Sequence, residues 1–235
     1  MKIYSLTFCL FFSCVCHTLL AQTAFDRKYG AKVSAYRAIK TMKDSGTLLV
    51  MLPMRRNEIN SLQRKIASPD LSDKERAHMI TALAMVRSDK EKMVNQMLLA
   101  FKTTYTFSDI AFAWDTSATA YKRGQRDNIV LNDDLSGTIP RFEGGKFTAL
   151  LQYSVADNAW FLVNDQLNPV GKPFPYRVDV SKGGFKEGDK AEVALAIQFV
   201  LLDFYNDALQ RMPKLDYLRQ KAALKAQIKA MKNAG

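Results

Sequence analysis

After residue 22, apolar side chains recur every three or four positions: Phe25, Tyr29, Val33 and Tyr36. That period puts them on one face and predicts a helix over 23–44, stopped by Asp44-Ser45-Gly46. Thr47 to Leu52 is an unbroken apolar run closed by Pro53. A half-exposed strand would alternate, so a buried central strand is expected here. Ile59, Leu62 and Ile66 make one face of a short helix that ends before Pro69. Ser72-Asp-Lys-Glu75 spells a capping box, in which serine and glutamate each satisfy the other's backbone N–H. The helix it opens runs to about Lys102 along the stripe Leu83, Val86, Met93, Met97 and Phe101. For Met79, Met85, Met93 and Met97, core filling is the commoner reason for helical spacing than an adaptable partner groove.

Asp109 to Trp114 reads as a second strand, Thr116 to Lys122 as a short helix and Asn128 to Leu131 as a third strand. Strands alternating with helices build a parallel sheet through crossovers. The second half changes character. Phe147 to Tyr153 and Ala159 to Val163 read as strands joined by the hairpin signal Ala156-Asp157-Asn158. Tyr176 to Val180 adds a strand after the loop from Pro169 to Pro175. Asp189-Lys-Ala-Glu192 is a second capping box. The helix it opens, Val193 to Tyr205, is apolar on nearly every face through Leu202, which predicts burial, and it is too short to span a bilayer. Pro213 then starts a final helix over 213–235. No repeat or long linker divides the chain. The expected fold is a single α/β domain over 22–235, with a mixed, partly parallel sheet flanked by helices. A long helical insertion follows the first strand, and a basic amphipathic helix closes the chain.

The first 21 residues stand apart. Met1-Lys2 is followed by the uncharged apolar run Ile3 to Val15, and the segment ends Leu19-Leu20-Ala21 before Gln22. This is the layout of a secretory signal peptide, with lipoprotein anchoring through Cys14 or Cys16 as the lesser alternative. Cleavage after Ala21 would remove Cys9, Cys14 and Cys16, all of the cysteines, leaving His78 as the sole histidine. An exported chain of that kind holds together by its core, without disulfides. Thiol chemistry and zinc sites of cysteine and histidine are then excluded. A Ser-His-Asp triad would have to use His78, which falls in a polar helix start and reads as a solvated surface residue.

Composition adds one element. The 235 residues are 48% hydrophobic and 24% charged, an ordinary globular balance, but the formal charge is +11. From Arg211 to Gly235 there are seven basic residues against one acid, Asp216. Lys214, Lys221, Lys225 and Lys232 share one helical stripe, beside the apolar stripe Tyr217, Leu224, Ile228 and Met231. Such a helix suits an anionic lipid or lipopolysaccharide surface, or another envelope protein. A terminal helix docked by that apolar stripe, with its lysines in water, is the plainer alternative. The aromatics are not interleaved with the basic residues as a nucleic-acid platform requires.

Enzyme-like chemistry is confined to carboxylates at strand ends: Asp115 after the second strand, Asp133 and Asp134 after the third, and Asp165 after the Trp160 strand. Ligands of open parallel sheets bind at the carboxyl ends of strands, where aspartates can hold a metal or move a proton. Asp115, Asp133 and Asp134 are thus candidate catalytic residues of a metal-assisted hydrolase, with Asp133 and Asp134 as metal ligands. Aspartate is also an ordinary turn residue, and Asn132 to Gly137 reads well as a loop. The pairs Gly144-Gly145 and Gly183-Gly184 lack the flanking residues of a phosphate loop or a dinucleotide fingerprint. No cofactor is implied, and a non-catalytic exported binding or accessory protein is the leading expectation.

Gly46 to Leu52 with the helical segment after it, Pro173-Phe-Pro-Tyr-Arg-Val178, and the Leu-Leu-Ala-Gln end of the leader resemble uncharacterised exported proteins of Gram-negative bacteria. The resemblance implies export to the periplasm or beyond. The element order also allows a thioredoxin-like arrangement, without the cysteines of its redox chemistry.

Overall fold

The computed structural model describes residues 25–132, 134–145, 147–154, 157, 159–168, 170, 172–179 and 190–234. Helix α1 covers 25–45 and buries Phe25, Val33, Tyr36, Ile39 and Met42, the face that its spacing marks out. It leads into β1 (Gly46–Leu52), buried at every residue. Pairing on both sides explains that burial. β2 (Asp109–Trp114) and β3 (Phe147–Ser154) both lie parallel to β1, one on each flank. β4 (Ala159–Val163) and β5 (Arg177–Asp179) follow antiparallel, giving the order β2-β1-β3-β4-β5. The protein is therefore α/β with a mixed, partly parallel five-stranded sheet.

The insertion between β1 and β2 is helical. α2 (Arg56–Ile66) packs on α3 (Asp73–Thr104). At the start of α3, Ser72 Oγ accepts the Glu75 N–H at 3.4 Å and the Glu75 carboxylate accepts the Ser72 N–H at 3.0 Å. Arg76 ties down the turn between the helices by donating to the Ile66 and Ser68 carbonyls at 2.5 and 3.1 Å. After β2 a short 3-10 turn leads to α4 (Ala118–Lys122).

Several sequence expectations need correction. Asn128–Leu131 is not a sheet strand. It forms isolated antiparallel bridges to Ala113 of the edge strand β2 and to Thr138, and its Ile129, Val130 and Leu131 are buried. The third parallel strand is β3 instead. The two helices expected over 193–205 and 213–235 are one helix, α5 (Lys190–Ala234), with Pro213 inside. A proline removes one ladder hydrogen bond, but Leu201, Ala208 and Leu215 are buried at seven-residue spacing across it, so both halves present one face. The apolar start of α5 is not buried all round either: Val193, Ala194, Ile197 and Leu201 are buried, whereas Leu195 and Phe199 face outward. Of the four α3 methionines only Met97 is core, and Met85 is 61% exposed. The leader, the Asp189 capping box and the 182–188 glycine segment lie outside the described residues.

The α/β domain packs as two compact units. One comprises the described residues of Met1–Lys40, Gly171–Phe174 and Leu202–Gly235, the other those of Thr41–Val170 and Pro175–Leu201. In the first, the buried Tyr36 hydroxyl donates to Asp207 Oδ2, and Arg211 pairs with the same carboxylate. The Tyr36 and Phe174 rings lie 5.2 and 5.6 Å from the Phe204 ring. In the second, Leu49 and Met51 of β1 join Ala113, Val130, Phe142 and Leu150 in the core on one face of the sheet. Where β3 enters beside β1, the Gly145 N–H donates to Thr47 Oγ1 at 3.1 Å. A Cβ on Gly145 would stand 2.1 Å from the Ser45 carbonyl oxygen, so only glycine permits that approach.

Candidate functional site

β1, β2 and β3 are parallel, so their carboxyl ends share one edge of the sheet. The chain leaves β1 for β2 on one flank and then crosses to β3 on the other. Where neighbouring connections diverge in this way, open α/β sheets leave a crevice that ligands occupy. A cleft of about 1150 Å³ lies here, walled by Pro53 and Arg55 after β1, Asn57 of α2, Asp115 after β2, and Gln152 and Tyr153 of β3.

Local chemistry sets its walls. Asp115 Oδ1 accepts the Met54 N–H at 3.1 Å, which pins the loop after β1 to the end of β2. Arg55 sits in the left-handed region at φ 50°, an uncommon conformation for a residue with a Cβ. Its guanidinium pairs with Glu58 at 2.8 Å and reaches Asp89 at 3.9 Å. The Tyr153 ring stands 5.2 Å from the buried Trp160 ring, and Tyr153 itself is 41% exposed. Two further hollows share walls with the cleft. One, along α2, uses Asn57, Asn60 and Gln63; the other, across the β3–β4 hairpin, uses Gln152, Tyr153 and Phe161.

The strand-end aspartates do not gather in this cleft. Of the described ones, Asp115 alone lines it. The stretch 128–131 runs antiparallel to β2, with Val130 opposite Ala113 and the Leu131 N–H on the Phe112 carbonyl. Asp134 therefore lies toward the amino end of β2, with the strand's length, roughly 20 Å, between it and Asp115. It closes its own turn, accepting the Ser136 N–H at 3.0 Å and hydroxyl at 2.8 Å, which holds its carboxyl below the usual carboxylate range. Asp165 follows β4, whose carboxyl end meets β3 at Leu150, again toward the far edge of the sheet. Asp133 lies outside the described residues. Among the described residues no three His, Cys, Asp or Glu side chains are grouped to hold a metal ion. His78 is exposed on α3.

The second candidate surface is the carboxyl-terminal half of α5. Its inward face is Leu201, Ala208 and Leu215. The expected apolar stripe is not the docked one: Tyr217, Leu224 and Ile228 are 58%, 57% and 43% exposed, and Leu202 and Leu209 continue the same face. At 3.6 residues per turn these five fall within an arc of about 100°. Lys214, Lys221 and Lys225, all exposed, border that arc on one side, with the Lys221 ammonium 5.8 Å from the Tyr217 ring. The side chains of Met231 and Lys232 lie outside the described residues. No described helix is long and apolar enough to cross a membrane.

Sequence reasoning reaches Asp115 and the lysines but misses Arg55, Asn57, Gln152 and Tyr153. The rule that singles out Asp115 applies equally to the loop after β1, so Pro53 to Asn57 is a usable signal. Gln152 and Tyr153 carry none, because β3 does not read as the strand beside β1. Comparison of the chain with protein-family models, with curated proteins and with solved structures found no match.

Proposed function

We propose that the chain is an exported, envelope-associated binding protein without catalytic chemistry of its own, held at an anionic lipid surface by the carboxyl-terminal half of α5. One observation carries this reading: the apolar arc of α5 faces outward while a different face of the same helix is packed. Leucine, isoleucine and tyrosine on that arc supply area to bury among acyl chains, and the bordering lysines supply the attraction to lipid phosphates. A basic border opposes pairing of the arc with a second copy of itself. The absence of a spanning helix among the described residues is compatible with lying on a surface. Asp115 and Asp134, the described aspartates of the hydrolase alternative, stand apart and lend it no support.

Each lysine near an anionic surface contributes about 1 kcal/mol. Replacing Lys214, Lys221 and Lys225 with glutamine should therefore weaken binding to vesicles of one-third phosphatidylglycerol by about 100-fold. Parent binding should fall with added salt and be absent on pure phosphatidylcholine. Equal binding of parent and triple variant would refute the proposal. Competition by lipopolysaccharide would identify it as the surface met in place.

A further inference from the structure

The carboxyl-edge cleft has no part in the lipid reading, and its chemistry favours a different kind of ligand. We infer that it is a binding groove for an uncharged oligosaccharide. Three features point to this class. The first is charge. Arg55 is taken up by Glu58 and Asp89, which leaves Arg56 and Asp115 as the remaining opposed charges on the wall. Among the described residues, a phosphate or carboxylate ligand would find one cation without an ion-pair partner and a carboxylate on the same wall, a weak anion site. The second is the inventory of hydrogen-bonding groups. Asn57, Asn60, Thr119 and Gln152 line the cleft, and their side-chain amides and hydroxyl have no partner among the described residues. Amides offer donors and acceptors side by side, which matches the paired hydroxyls of a sugar ring. Asp115 spends one carboxylate oxygen on Met54 and keeps the other.

The third feature is shape. The cleft of about 1150 Å³ slightly exceeds the roughly 300–1,000 Å³ of pockets for single small molecules. The hollows along α2 and across the hairpin extend it at both ends, through the shared walls Asn57 and Gln152. A groove of linked hollows fits a chain of units better than a single compact one. At the junction with the hairpin hollow, Gln152 shares its sheet face with Phe161 of β4, which sets an apolar ring beside the amide. A peptide would be read at a free sheet edge or by deep apolar pockets. The sheet edges belong to β2 and β5, and this groove lies across strand ends.

The test uses the purified full chain with maltotriose, cellotriose and tri-N-acetylchitotriose, each to about 10 mM, a range that captures affinities as weak as millimolar. Binding is followed by tryptophan fluorescence and by amide chemical shifts. At least one trisaccharide should saturate, with shifts at Asn57, Gln152 and Tyr153. The variant Asn57→Ala/Gln152→Ala, at one exposed and one half-buried position, should lose at least tenfold in affinity and remain folded by circular dichroism. Inorganic phosphate at the same concentration should leave these signals unmoved. No response to any of the three sugars would overturn the inference. So would sugar binding that the double variant leaves intact, phosphate binding at the same residues, or saturation by an extended peptide such as hexaglycine. Lys214, Lys221 and Lys225 are untouched, so failure here leaves the lipid reading standing, and failure there leaves this one.

Discussion

Alanine at position 145 would probe the tightest point of the sheet. The added Cβ would meet the Ser45 carbonyl oxygen at 2.1 Å and Gly46 Cα at 2.8 Å. Carbon and carbonyl oxygen sit comfortably only at roughly 3.3–3.6 Å, so the two segments must part by about 1 Å. Every atom involved is main chain, and no rotamer change relieves the overlap. The displacement acts on the Gly46–Phe147 pairing and on the Gly145 N–H bond to the buried Thr47 hydroxyl. Overpacking of this kind costs about 1–3 kcal/mol, and the lost bond about 1 kcal/mol more. Gly145→Ala should thus destabilise by about 2–4 kcal/mol. For a chain of this size that is a fall in Tm of about 4–16 °C, read by far-ultraviolet circular dichroism and tryptophan fluorescence. Two other glycines calibrate the result. Gly124, at φ +85° with nothing near its absent Cβ, isolates the left-handed penalty, about 1 kcal/mol. Gly30 lies inside α1, where a Cβ would make ordinary 3.7 Å contact, so Gly30→Ala should stabilise by about 0.5–1 kcal/mol. A Gly145→Ala protein melting within about 2 °C of the parent would refute the close-approach argument.

Other perturbations have equally definite signs. Ser72→Ala removes the cap of α3 and should cost about 1 kcal/mol in urea unfolding at neutral pH. The Ser72 hydroxyl and N–H hold the Glu75 carboxyl below its ordinary value, so that contribution is present above pH 4.5 and lost as the pH falls through the lowered value. The stability gap between parent and Ser72→Ala should therefore narrow in acid. Asp207 is likewise held low, first by the Tyr36 hydroxyl and then by Arg211. Asp207→Asn should destabilise at neutral pH and match the parent once the pH drops through the lowered carboxyl value. Burial, then the bond to Asp207, pushes the Tyr36 phenol from 10.0 up to about 12. Its favourable contribution is complete below pH 10 and lost as the pH rises toward 12, so in a tyrosinate absorbance titration Tyr36 should ionise after the exposed tyrosines.

Elements whose burial follows a single period are readable from the chain alone. β1 is legible because seven consecutive buried residues leave no room for alternation, and the α3 start because a capping box is a local device. The 128–131 segment misleads because a stretch bridged to the edge strand at a single residue buries the same residue types as a full strand. α5 misleads twice. Pro213 looks like a boundary in one dimension, and only tertiary burial at 201, 208 and 215 shows why the helix continues. Two apolar faces on one helix also cannot be ranked by periodicity when neither is the whole core. Of the cleft, Asp115 is visible as a strand-end carboxylate. Gln152 and Tyr153 arrive from β3, a hundred positions downstream of β1, and local pattern carries no information about that adjacency.

The pairing of β1 has a consequence for how the chain acquires its structure. Gly46 is opposite Phe147, so roughly 100 residues must be synthesised after β1 before its second flank can close. β2 arrives sooner, but also only after all of α2 and α3. At ribosomal speeds of about 5–20 residues per second, the fully buried strand β1 waits several seconds for its last neighbour. During that interval Leu48 to Leu52 keeps one flank without its β3 partner, an edge open to pairing with another chain. The order of strands along the chain thus postpones completion of the sheet until most of the polypeptide exists.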